Sequence, residues 1–179
     1  MSPPWLIQIA RNTKKDRALL ESFSCADREV PWQVEVESYV RRSLAEWAFA
    51  PHARKQDPRL FERKTHEFVG VAAHERSTMT YKNNHSFAAT KLEVIAIARA
   101  WQGQRFSSGE RASDVLMSAV MADVSKRVPP RDAGVFAIVH EENSRSVDLC
   151  QRHGFTEELS RPESLSDYRR LVTAHQRRR

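Results

Sequence analysis

The segment from Lys91 to His140 constrains the fold most. It opens with "KLEVIAIARA", an aliphatic, β-branched run that reads as a strand. "SDVLMSAVMADVSKR" follows, with Val115, Leu116, Ala119, Val120 and Val124 at helical spacing. Lys126 and Arg127 close it, where cations suit the dipole of a helix C-terminus. "VPPRDAG" is a turn, and "VFAIVH" is continuously apolar, as expected of a buried strand. The pattern is a strand–helix–strand crossover, which places the chain in the α/β class.

The flanks extend this frame. "ENSRSVDLCQRHGF" reads as a short amphipathic helix that opens on Asn143 and stops at Gly154, a left-handed C-terminal cap. Val147, Leu149 and Cys150 are its apolar members, and Glu141 and Glu142 are expected to begin it. "FTEELSR" and "YRRLVTAHQ" read as final strands. Upstream, "WLIQIA" is an opening strand and "KKDRALLESF" a short helix. "PWQVEVESYVRRSLAEWAF" carries Val34, Val36, Tyr39, Val40, Leu44 and Trp47 on a broad helical face, with Pro31 near its start. "RLFERK" and "HEFVGVAAHE" are neighbouring strands, and "YKNNHSFAAT" is a loop before the main strand. The expected product is one domain over residues 1–179, with a central, mostly antiparallel sheet and flanking helices.

Composition narrows the class. Hydrophobic residues at 40% and charged residues at 29% describe a globular chain able to bury a core. No apolar run approaches the roughly 20 residues that span a bilayer, and the N-terminus lacks the charge order of a secretory signal. Two cysteines, Cys25 and Cys150, give no disulfide framework, so a cytoplasmic location is expected. A net charge of +6 calls for an acidic partner or serves solubility, and its basic residues are scattered.

Two stretches resemble the GNAT superfamily of N-acetyltransferases. "LEVIAIARAWQGQ" is similar to the family's fourth strand and cofactor loop, with Ile97 and Ala98 at the strand end, then Trp101 and Gln102-Gly103-Gln104. "EENSRSVDLCQRHGF" is similar to its N-x-x-(S/A)-x-x-L-Y-x-x-x-G-F helix, matching at Asn143, Ser146, Leu149, Gly154 and Phe155. The resemblance implies the acyl-CoA N-acyltransferase fold. It also implies acetyl-CoA as co-substrate, with residues 66–160 as the cofactor-binding core and 1–65 as the variable acceptor-side half. Residues 161–179 form a terminal strand and basic tail.

The chain departs from the family at the loop. The signature (Q/R)-x-x-G-x-(G/A), counted from Gln102, falls on Arg105 and Ser107. Placing the small residue at Ala112 instead leaves "RFSSGER" as a loop about five residues longer than the pattern needs. Gly109 is then free to take a positive φ. Arg105 and Arg111 supply cation contacts to phosphate alongside backbone N–H groups at the helix N-terminus.

Acetyl transfer needs a neutral amine. A lysine amine at pH 7 gives up about 4.6 kcal/mol to reach that form, an α-amine only about 1. Glu93 is the candidate general base. It lies four residues before Ile97, on the same strand face, at a position where some family members carry a catalytic histidine. It reads equally as an ordinary strand glutamate on an exposed face, and His85 is a weaker alternative base. Cys150 stands where the family usually places a tyrosine that protonates departing CoA. It either donates that proton or packs as a small apolar residue.

The motifs do not identify the amine acceptor, which is a small molecule, a protein or an aminoacyl-tRNA. The front segment loosely resembles toxin acetyltransferases that act on aminoacyl-tRNA, and the positive charge fits such a partner. A GNAT-shaped binding module without turnover is a further reading. The sequence also leaves a homodimer open.

Overall fold

A computed structural model describes residues 5–9, 14–47, 59–63, 67–80, 86–127, 134–157 and 169–174. The chain forms two compact units, each discontinuous in sequence: Met1–His74 with Val94–Val120, and Glu75–Glu93 with Met121–Arg179.

In the first unit, β1 (Trp5–Ile9) runs antiparallel to β2 (Arg59–Arg63), which pairs in turn with the start of β3 (Phe68–Thr80). The end of β4 (Ser86–Ile97) joins them, and the Ala98 N–H donates to the Val69 carbonyl at 2.8 Å. Gly70 permits this approach: a Cβ there would sit 2.7 Å from the Ala96 carbonyl oxygen and 2.9 Å from Ile97 Cδ1. Any larger residue would push the strands apart.

The helices of this unit are α1 (Lys14–Glu21), α2 (Pro31–Ser38), a π-helical segment over Tyr39–Leu44 and the short α3 (Ala45–Trp47). Leu20, Phe23, Val40 and Leu44 pack with Val71, Ala73, Val94 and Ala96 in one apolar cluster. Val40 and Leu44, four residues apart, share a face and are fully buried. Val34 departs from the expected face and is 42% exposed. It lies six residues before Val40, about 120° around an α-helix. The π turn, with its i to i+5 bonds, changes the rotation again. Periodicity of 3.6 therefore overstates the width of this apolar face.

The second unit holds the remainder of β3 and β4, then β5 (Val135–His140), α5 (Ser144–Arg152), β6 (Thr156–Glu157) and β7 (Arg169–Ala174). β4 and β5 run parallel, linked through α4 (Ala112–Arg127), which gives the expected crossover. β5 pairs antiparallel with β7 along its whole length, and β7 with β6. The sheet is therefore mixed.

Three local expectations need correction. Ser86–Thr90 belongs to β4 rather than to a loop. Its small residues carry little strand signal, but pairing holds it, with the Thr90 N–H donating to Gly134 at 2.9 Å. Glu141 and Glu142 form a turn before the helix, closed by the Asn143 N–H on the His140 carbonyl at 2.9 Å. β5 is not buried throughout, because Ile138 is 38% exposed. It is the first residue past Leu92↔Ala137, the last registered pair of the β4–β5 ladder.

Candidate active site

In the first unit the connection from Ile97 to Ala112 begins with a 3-10 turn, Arg99–Trp101. Gln102 turns its amide inward, where Nε2 donates to the Cys25 carbonyl at 2.7 Å and the Ile97 carbonyl at 3.1 Å. Its side chain thus fastens the loop to the end of β4. Gly103 follows at φ 74°, and Gln104 is exposed.

The extra residues fold into a small hairpin. Arg105 and Arg111 face each other across an antiparallel bridge. The Phe106 N–H donates to Glu110 and the Gly109 N–H to Phe106, both at 2.8 Å. Gly109 turns the chain at φ 85°. Phe106 is buried, with its ring 5.7 Å from that of Trp101, whose Nε1 donates to Glu67 at 2.9 Å. An apolar anchor thus holds a polar loop in place.

α4 starts at Ala112, which is buried along with Val115 and Leu116, so this is where the longer loop ends. The first N–H groups of α4 and its dipole favour an anion. A Cβ built on Gly103 or Gly109 would meet no heavy atom within 4 Å, so open space lies over both turns. Arg105 Nη1 donates to the Gly109 carbonyl at 2.6 Å, which closes the hairpin and leaves its other donors unspent. Arg111 is exposed.

The loop between α1 and α2 is tied from two sides. Glu37 accepts the backbone N–H groups of Cys25 at 2.7 Å and Ala26 at 2.9 Å. Burial acts to raise the Glu37 carboxyl, but these bonds, the Ser24 hydroxyl and Arg41 outweigh it and hold the group below the usual carboxylate range. On the other side the Arg99 N–H donates to the Ser24 carbonyl at 2.9 Å, and Arg99 Nη1 donates to the Ala26 carbonyl at 3.3 Å. Beside this seam lies an open groove of about 530 Å³, lined by Ser22, Phe23, Ser24, Phe68, Ala98, Arg99 and Ala100. Phe23 and Phe68 meet edge to face in its wall, 5.4 Å apart.

In the second unit Glu93 lies on the half-buried face of β4, its side chain 9% exposed. Lys91 Nζ sits 2.8 Å from Glu93 Oε1, a close ion pair. Asn143 caps α5, its side chain accepting the Ser146 N–H at 3.2 Å. Gly154, at φ 84°, ends the helix as expected. The Phe155 N–H donates to the Cys150 carbonyl and the Gly154 N–H to Gln151, both at 3.0 Å, which forms a Schellman cap. Cys150 and Phe155 are both buried beneath it, and burial pushes the Cys150 thiol up to about 11.

The first unit therefore gathers Ile97, Ala98, Gln102, Gly103, Gln104, Arg105, Gly109, Arg111 and Ala112 along one connection. The second carries Glu93 on β4, with Asn143, Ser146 and Cys150 on or beside α5. His85 lies outside the described residues. Sequence reasoning missed Glu37: its pairing with Arg41 four residues on is a readable helix pattern, but its bonds to the Cys25 and Ala26 N–H groups leave no mark in the sequence. It also missed Lys91, although a lysine two residues from a strand glutamate is a readable same-face pairing.

No protein-family model matches the chain, and no curated protein matches it in sequence. Solved structures do match. One, described as a bacterial toxin, superposes with a TM-score of 0.65 at 12% identity, over 97% of this chain and 92% of its own. A spermidine N-acetyltransferase chimera, SpeG from Vibrio cholerae with hSSAT, gives 0.61 at 16% identity, over 97% and 96%. AtaT complexed with acetyl-methionyl-tRNAfMet gives 0.60 at 15% identity, over 96% and 94%. The chain has the GNAT, or acyl-CoA N-acyltransferase, fold. Among the described residues no helix is long and apolar enough to cross a membrane.

Proposed function

We propose that the chain is an N-acetyltransferase that moves the acetyl group of acetyl-CoA to a primary amine by direct attack. The observation that carries this reading is the connection ending at Ala112. It joins a helix N-terminus, two arginines on one bridge and open space over two positive-φ glycines. Those are the features that suit a diphosphate. Gly103, Gln104, Arg105, Gly109, Arg111 and Ala112 would hold the phosphates, with Ile97 and Ala98 at the strand end. Gln102 acts one step back, since its amide is spent on shaping the loop. Asn143 and Ser146 would serve the cofactor through the start of α5, whose first turn Asn143 caps.

Acetyl-CoA supplies an activated acyl carbon, and the chain must supply a place for the proton. The amine nitrogen forms its bond to the carbonyl carbon, the C–S bond breaks with its electron pair going to sulfur, and the CoA thiolate takes its proton from water. Glu93 is the proposed base for the proton the amine sheds. Its carboxylate is shielded from water, with Lys91 Nζ 2.8 Å away. Cys150 is better read as a packing residue. Its side chain is buried under the Schellman cap, and burial suppresses ionisation of its thiol.

Release of the CoA thiol, followed with a thiol reagent across a panel of amines, tests the activity. Amine-dependent release supports it. Cofactor binding without release to any amine would identify a binding module instead. A second reading, acetylation of aminoacyl-tRNA, draws on the likeness to AtaT and on the net charge of +6. It requires salt-sensitive binding of charged tRNA.

A further inference from the structure

We infer that the groove beside the α1–α2 loop takes the apolar body of the acceptor and that Arg99 selects acceptors ending in a carboxylate. This rests on the acetyltransferase reading and extends it to the class of amine.

The argument is one of unspent polar groups. The Ser22 hydroxyl donates to the Leu19 carbonyl at 3.1 Å, and the Ser24 hydroxyl is bonded to Glu37. The backbone carbonyls of Ser24, Cys25 and Ala26 receive Arg99 and Gln102. Phe23, Phe68 and Ala98 offer apolar surface only. Of the described side chains lining the groove, Arg99 alone keeps donors to offer. One of its five N–H groups reaches the Ala26 carbonyl, and its distance to Asp27 is a loose 4.0 Å between two half-exposed side chains. A ligand that completes this surface has an apolar stem and an acceptor-only anion, which a guanidinium binds in two-point fashion.

The same surface disfavours a polyamine. A spermidine-like acceptor carries several ammonium groups, which need carboxylates or carbonyls, and the groove turns a cation toward them. Glu37 positions this arrangement without lining the groove. It holds the Cys25 and Ala26 peptides from behind, so their carbonyls can receive Gln102 and Arg99.

The experiment uses matched compounds: aromatic and aliphatic amino acids, the same compounds as carboxamides, and spermidine. Direct binding is measured by calorimetry on the full chain, and kcat/KM for CoA release is measured alongside. The expected result is at least tenfold tighter binding, and tenfold higher kcat/KM, for acid over amide, with spermidine poorest. Arg99→Ala erases the difference between acid and amide, and Arg99→Lys restores part of it. Equal affinity for acid and amide, or preference for spermidine, overturns the inference. The binding arm does not depend on turnover. A chain that binds acids through Arg99 but fails to bind acetyl-CoA would refute the acetyltransferase reading and leave the groove assignment standing.

Discussion

Arg105 stands opposite Arg111 across an antiparallel bridge, two cations where a strand pair ordinarily sets unlike charges. The Gly109 carbonyl takes one donor of Arg105, while Arg111 is exposed. Such a pair is relieved by an anion. Arg111→Ala should therefore weaken acetyl-CoA about tenfold, the size of one charge-assisted hydrogen bond. Raising the salt concentration should weaken wild type more than the variant. Calorimetric titration at two ionic strengths checks both, and an unchanged affinity would place the phosphates elsewhere.

Glu93→Gln removes the proposed base with little change of shape. It should lower kcat tenfold or more, with the loss shrinking as pH rises and the amine deprotonates unaided. A pH–rate profile of both proteins reads this directly. Equal rates at pH 7 would exclude Glu93.

Two buried thiols make the fold sensitive to alkali. Burial raises Cys25 to about 12, with help from the Glu37 charge, and raises Cys150 to about 11, against an ordinary 9.0. The unfolded chain therefore loses these protons first. Stability from this source is intact below pH 9 and falls as pH climbs through 9 toward 11. Thermal melts from pH 8 to 11 should show that decline, and Cys150→Ala should lessen it while keeping turnover. Loss of turnover in that variant would restore a chemical role for Cys150.

Phe106→Ala tests the hairpin anchor. Removing a ring packed on Trp101 should cost at most about 3 kcal/mol, since the loop is otherwise exposed and can settle. The Tm and the affinity for acetyl-CoA should fall together. A lowered Tm with unaltered affinity would separate the hairpin from the cofactor.

The parts of the fold legible in the sequence were those specified by local chemistry. The crossover from Leu92 to His140, the cap at Asn143, the stop at Gly154 and the start of α4 at Ala112 each depend on residues a few positions apart. Tertiary pairing hid the rest. Thr90 is held in its strand by Gly134 and Val135, distant in sequence, and Val34 lies on α2 about 120° from Val40 and is 42% exposed. "RFSSGER" showed that the loop was long, but not that Phe106 would fold it into a hairpin against Trp101. Nothing in the sequence sets Glu37 apart from other helix acids, yet its bonds to Cys25 and Ala26 hold the seam on which the groove depends.

Titration of the purified chain with acetyl-CoA tests the central claim most directly. Saturable one-to-one binding in the range of about 1 µM to 1 mM is the predicted result, the range usual for enzyme substrates. An absence of binding at several millimolar would contradict it and reduce the assignment to a shared fold.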